Sequence, residues 1–152
     1  MDKQDKQVLL RYYLCEMLPY GVKCCVDDHL KGKLTVIPHS MLDMDGFECH
    51  TEEWEYEQFY SPDELKPYLR PMERMTEEEK EELKSEFCVE IREEDNGRHT
   101  ETYGYCIVYH KFKGESWYIP FEAIDWLNAH HFDYRGLIDM GLALEAPEGM
   151  YD

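Results

Sequence analysis

Three groups of side chains in this sequence are of types that can do chemistry. The first is His130, His131, Asp133 and Arg135, flanked by Trp126, Phe132 and Tyr134. Imidazole beside carboxylate can hold a metal, whereas Trp, Tyr and Arg together are the composition of a binding hot spot. Adjacent residues on a helix point about 100° apart, so His130 and His131 rarely ligate one metal together. His131 and Asp133 can do so if the chain folds back between them. The plainer arrangement packs His131 under Trp126 and Phe132, with Asp133 capping a turn and pairing with Arg135. The block is therefore either a structural lock or a recognition site whose contact residues are Trp126, Tyr134 and Arg135.

The second group is Cys24, Cys25, Cys49 and His50, a zinc-type donor set. Consecutive strand residues face opposite sides, so each pair offers one ligand to a given point, and no Cys-x-x-Cys knuckle supports a metal. Buried, small apolar thiols are the expected role, with no metal bound. The third is Cys106 with His110. Their spacing on a strand gives one face but a separation of roughly 13 Å, too far for an imidazole to activate a thiol. No Gly-rich phosphate loop or Ser nucleophile elbow occurs, so no cofactor is expected and the chain leans away from being an enzyme.

The elements that must position these groups follow from periodicity. Val8, Leu9, Tyr12, Tyr13 and Cys15 recur at helical spacing, and Leu18-Pro19 with Gly21 stops that helix. Strands are expected at Val22–Val26, at Leu34–Ile37 after a polar turn containing Gly32, at Phe47–His50, and over the alternating Trp54–Phe59. Residues 61–75 carry Pro62, Pro67 and Pro71 and read as a hinge, with a single helical turn starting at Ser61. Thr76 and Glu79 form a capping box that starts an acidic helix. That helix gives way to a strand near Phe87, and Asn96-Gly97 is a hairpin turn leading into Thr102–Tyr109, turned back at Lys113-Gly114. At the end, Phe121, Ile124, Leu127 and His131 share a helical face. Asp133 then caps a second short helix that holds Gly136, Leu137 and Ile138, with Gly141 at its end. Phe121, Ile124, Leu127, Leu137 and Ile138 are expected to bury against the strand carrying Tyr105–Val108.

The fold class is therefore α+β: small antiparallel sheets or a curled meander, with an N-terminal helix, a central acidic helix and short C-terminal helices. At 152 residues the chain makes one domain, with subdomains 1–70 and 76–152 as an option across the Pro-containing segment. A hydrophobic content of 43% argues against disorder. No apolar run is long enough for a membrane span, the N-terminus leads into no signal region, and six scattered cysteines suit a reducing cytoplasm.

The net charge of −18 is unevenly placed. Residues 43–64 carry nine acids, among them Glu52, Glu53, Glu55 and Glu57, and no Lys or Arg; residues 73–101 carry twelve acids against five bases. Those two segments hold all but two of the net negative charges. Such a field repels nucleic acid and anionic lipid and attracts a basic protein surface. The two segments are expected to lie side by side. A different class of reading remains open: a small ligand- or nucleotide-binding domain or enzyme, its pocket walled by Tyr103, Tyr105, Tyr109, Trp117 and Trp126.

Three stretches carry a resemblance. Asp125-Trp126-Leu127-Asn128 with His130-His131-Phe132-Asp133-Tyr134-Arg135-Gly136-Leu137-Ile138 resembles the C-terminus of small uncharacterised proteins of gut Bacteroidales genomes and their phages. Leu18–Lys23 and Lys66–Met72 with Met75–Glu79 resemble the same family. The resemblance covers about a third of the chain and implies a phage or mobile-element origin, with no activity attached. Joined to the charge distribution, it suggests a non-enzymatic cytoplasmic protein that binds a basic host protein through an acidic surface, imitating the charge of DNA.

Overall fold

A computed structural model describes residues 2–26, 30–34, 47–51, 58–61, 64–93, 105–111, 114–116 and 119–152. Helix α1 (Lys3–Met17) starts at a capping box in which Asp2 and Asp5 each accept the other's backbone N–H. It stops at Leu18-Pro19, and Gly21 turns the chain with φ +68°. Its buried stripe is Leu10, Leu14 and Met17. Val8 and Tyr12, which share the helical period, face outward instead. Several apolar residues surround this helix, so period alone did not decide which stripe meets the sheet.

Strands β1 (Lys23–Val26), β2 (Leu30–Leu34), β3 (Phe47–Thr51) and β4 (Gln58–Tyr60) form an antiparallel meander. Strand β2 runs through Gly32, where a turn was expected and which pairs with Cys24; of the strand expected at Leu34–Ile37, residues 35–37 lie outside the described residues. The expected strand at Trp54–Phe59 lies mostly outside the described residues, as does the Asn96-Gly97 turn. Part of the Pro-rich hinge proves to be strand β5 (Leu65–Leu69), antiparallel to β1. Strand β9 (Leu144–Glu145) then pairs with β5 in parallel, giving an open sheet in the order β4-β3-β2-β1-β5-β9. Because β9 reaches only Tyr68 and Leu69, β5 has a neighbour on one side alone at Pro67, which has no N–H to give.

Helix α2 (Glu77–Phe87) has the expected Thr76–Glu79 capping box, with both reciprocal bonds formed. It ends in one residue, Cys88, whose φ of +56° redirects the chain into β6 (Val89–Glu93). Strand β6 pairs with β7 (Tyr105–Lys111), and β7 pairs with β8 (Gly114–Ser116), as a second antiparallel sheet. Helix α3 (Phe121–Ala129) follows. The fold is α+β, with three α-helices among the described residues.

Two apolar clusters form the core. One joins α1 to the first sheet through Leu10, Leu14, Val22, Cys24, Leu65 and Leu69. The other joins α2, α3 and the second sheet through Met72, Leu83, Val89, Ile107, Leu127 and Phe132. The C-terminal block feeds both: Leu127 and Phe132 enter the second cluster, while Leu137 and Ala143 return to the first. Three expectations are thereby corrected. Phe121 is 77% exposed at the helix start, and Leu137 packs against α1 and β5 rather than against β7. Ile138 is half-buried against the first cluster and not against β7.

Candidate functional site

The residues after α3 make a crossing with the end of β5. The Arg70 N–H donates to the His131 carbonyl at 2.7 Å, and the Asp133 N–H donates to the Arg70 carbonyl at 2.9 Å. Between those bonds Arg70 and Phe132 form an isolated parallel bridge. The Arg70 guanidinium lies 4.2 Å from the centre of the Phe132 ring and reaches both carboxylate oxygens of Glu79, at 2.8 and 3.1 Å. Burial pushes the Glu79 carboxyl up, but hydrogen bonds from Arg70 and the Thr76 N–H outweigh it and hold the pKa below its usual value. Glu79, the partner of Thr76 in the α2 capping box, is thus also the anchor of the crossing.

Asp133 is buried and accepts the N–H groups of Leu137 at 2.7 Å and Ile138 at 2.9 Å. Burial raises its pKa, and the backbone donors oppose that rise. The aspartate caps a chain of turns, not the expected second helix. Gly136, expected inside that helix, has φ +73° and makes a left-handed turn that a side chain would strain.

The expected Asp133–Arg135 pair does not form. Arg135 instead pairs with Glu16 of α1 at 2.7 Å and stacks on Tyr13 at 4.1 Å and Tyr134 at 4.9 Å. The hollow beside it has a volume of about 10 Å³, enough for a single water.

The histidine that packs on Trp126 is His130 and not, as expected, His131. His130 stacks on Trp126 at 3.8 Å, and its Nδ1–H donates to the Trp126 carbonyl at 2.8 Å. His131, with φ +60°, stacks on Tyr151 at 3.7 Å and donates from Nε2 to the Tyr20 carbonyl at 2.9 Å. Burial pulls its pKa down, and the bond to the Tyr20 carbonyl opposes that fall. Tyr151 in turn donates to the Tyr68 carbonyl at 2.6 Å and accepts from the Lys23 N–H at 3.0 Å, which fastens the end of the chain to β5 and β1.

Among the expected contact residues, Trp126 and Tyr134 pack with the second cluster and Arg135 with α1. The Trp126 indole N–H donates to Glu82 at 3.1 Å, and the Tyr134 hydroxyl donates to Asn128 at 3.2 Å. Trp126 thus faces a core; Tyr103 and Trp117 of the expected aromatic pocket lie outside the described residues. Sequence reasoning missed Arg70 and Tyr151. Arg70 carries no local signal, because its partners stand nine and about sixty positions away.

The cysteine groups stay apart. Cys24 and Cys25 are buried on β1, whereas Cys49 and His50 belong to β3, with β2 between them, so the strands stand about 10 Å apart. On β7, His110 meets Glu90 at 2.8 Å, and Arg92 meets the same carboxylate at 3.1 Å. Those two donors, Arg92 first, pull the Glu90 carboxyl down to about 2 against a small opposing effect of burial. Among the described residues, no three or more His, Cys, Asp or Glu side chains are grouped to hold a metal ion.

Among the described residues, the densest run of exposed acids is on α2. Glu77, Glu78, Glu81, Glu82 and Glu86 are exposed on α2, offset by Lys80, which pairs with Glu77 at 2.7 Å, and by Lys84. Leu83 keeps the opposite side buried. The Trp126–Glu82 bond sets α3 against this helix, and α3 adds exposed Glu122, Asp125 and Phe121. Asp125 also accepts the Tyr20 hydroxyl, which pushes the phenol up to about 12. Glu52, Glu53, Glu55 and Glu57 lie outside the described residues, and so does most of the 43–64 segment. No helix among the described residues is long and apolar enough to cross a membrane. Compared with models of protein families, with curated proteins and with solved structures, the chain matches none.

Proposed function

We propose that this protein is a non-enzymatic binding protein that engages a basic protein partner through the acidic face of α2 and the start of α3. The observation that carries the reading is the cost of that face. Glu77–Glu81, Glu78–Glu82 and Glu82–Glu86 are like-charge pairs at i,i+4, each opposing the helix by about 0.2–0.5 kcal/mol. Only the first-turn glutamates gain from the helix dipole; the Trp126 indole N–H offsets part of the repulsion at Glu82, and Glu86 has no local benefit to offset it. Carboxylates spaced along a rod present a cationic partner with a field like that of a phosphate backbone, and exposed Phe121 offers an apolar contact. The resemblance to Bacteroidales and phage proteins supports a mobile-element setting in which the partner is a host protein, in the cytoplasm.

The test is charge reversal. Wild type and the variant Glu78→Lys/Glu82→Lys/Glu86→Lys would be used as baits in host lysate at low and at physiological salt. Wild type should retain a basic protein at low salt and release it as the Debye length falls to about 8 Å; the variant should retain none. Recovery of no basic protein by wild type, or equal recovery by both baits, sinks the proposal.

A further inference from the structure

A second site lies away from the acidic face, where the first turn of α1 meets the start of β5 and the loop after Gly141. A pocket of about 160 Å³ opens there over an apolar floor of Leu10, Leu65 and Leu142. Lys3, Lys6 and Lys66 line it. In a chain with 16 basic residues and a net charge of −18, the residues that line this pocket include three lysines and no acid.

None of the three forms an ion pair among the described residues, whereas Arg70, Arg74, Lys80, Arg92 and Arg135 all do. Lys3 and Lys6 also stand in the first turn of α1, where the helix dipole disfavours cations. The acids of that turn, Asp2 and Asp5, are occupied with each other's N–H groups and do not line the pocket. Gly141, with φ +74°, borders the pocket and has open space where a Cβ would stand.

We propose that this pocket binds a small amphipathic carboxylate, its apolar body on the leucine floor and its anionic head among the lysines. The size follows from the volume. It holds on the order of five waters, and hence a chain of about that many carbons. Ligand pockets for larger molecules begin near 300 Å³. The lysines exclude an amine of the same shape, and the leucine floor distinguishes a chain from a bare anion. The inference is independent of the acidic face.

Hexanoate is a suitable probe, titrated into the full-length 15N-labelled chain and followed by amide chemical shifts. Saturable shifts are expected at residues 3–10, 65–66 and 141–142. Acetate, which lacks the body, and hexylamine, which reverses the head, should each bind at least ten-fold more weakly. Lys3→Gln/Lys6→Gln should weaken hexanoate at least ten-fold with the spectrum otherwise unchanged; if that variant fails to fold, Lys66→Gln carries the same comparison. Equal binding of acetate and hexanoate would mean that lysines merely attract anions and would overturn the proposal. So would unsaturable shifts, or hexanoate binding unaffected by the lysine substitutions.

Discussion

At Arg70 one guanidinium meets Glu79, the His130 carbonyl and the face of Phe132, while its peptide groups bond to His131 and Asp133. Removing either charge should cost about 1.5–3 kcal/mol, the range for hydrogen bonds to charged groups. Arg70→Met and Glu79→Gln should each lower the melting temperature by several degrees, and the double variant should cost clearly less than the two added together. Strict additivity would show that the pair contributes nothing. His131 carries a pH dependence. Burial first, then the nearby charges of His130, Arg70 and Lys23, lower its pKa, and the bond to Tyr20 opposes this. A pKa lower in the folded state means that protons favour the unfolded chain. The stability His131 contributes is therefore whole above the ordinary imidazole value of about 6.5 and is lost as pH falls through and below it. Between pH 7 and 5 wild type should lose more stability than His131→Asn, a residue that tolerates the left-handed backbone; equal slopes would exclude His131 as the source. At this scale only side chains with local partners were legible. Asp133 was readable as a cap because its donors lie four and five residues ahead. The Arg135–Glu16 pair spans 119 positions and leaves no trace in local spacing.

Helix α2 was the most legible element, because a capping box is a local pattern and its bonds form within four residues. The buried stripe of α1 and strand β5 were not, since tertiary partners chose them over the local preferences of Val8, Tyr12 and Pro67. The acidic face yields a prediction of its own. Glu82→Gln removes two like-charge pairs yet keeps an oxygen for the Trp126 indole. It should stabilise the protein by roughly 0.4–1 kcal/mol at low salt, and the gain should vanish near 1 M salt, where the Debye length is about 3 Å. Urea melts at two ionic strengths measure this directly. A gain that persists in high salt would place its origin in packing rather than charge.

The two clusters share the C-terminal block, so damage to either should be felt by both. Leu127→Ala in the second cluster and Leu137→Ala in the first should each cost about 2–5 kcal/mol. Because the Arg70–Asp133 crossing ties the clusters together, each variant should melt in a single transition. Two separated transitions, observed by calorimetry, would show instead that each cluster unfolds alone. The crossing and the β5–β9 pairing also govern when the protein can fold as it is made. Strand β5 leaves the ribosome with Leu69, but its parallel neighbour arrives only with Leu144 and Glu145. At translation rates of about 5–20 residues per second, that interval is on the order of 4–15 s. Through it the nascent chain carries an unpaired strand edge that can template aggregation, together with a first cluster still lacking Leu137 and Ala143. Crowded synthesis, as on a polysome, is the setting in which this chain should depend most on a chaperone.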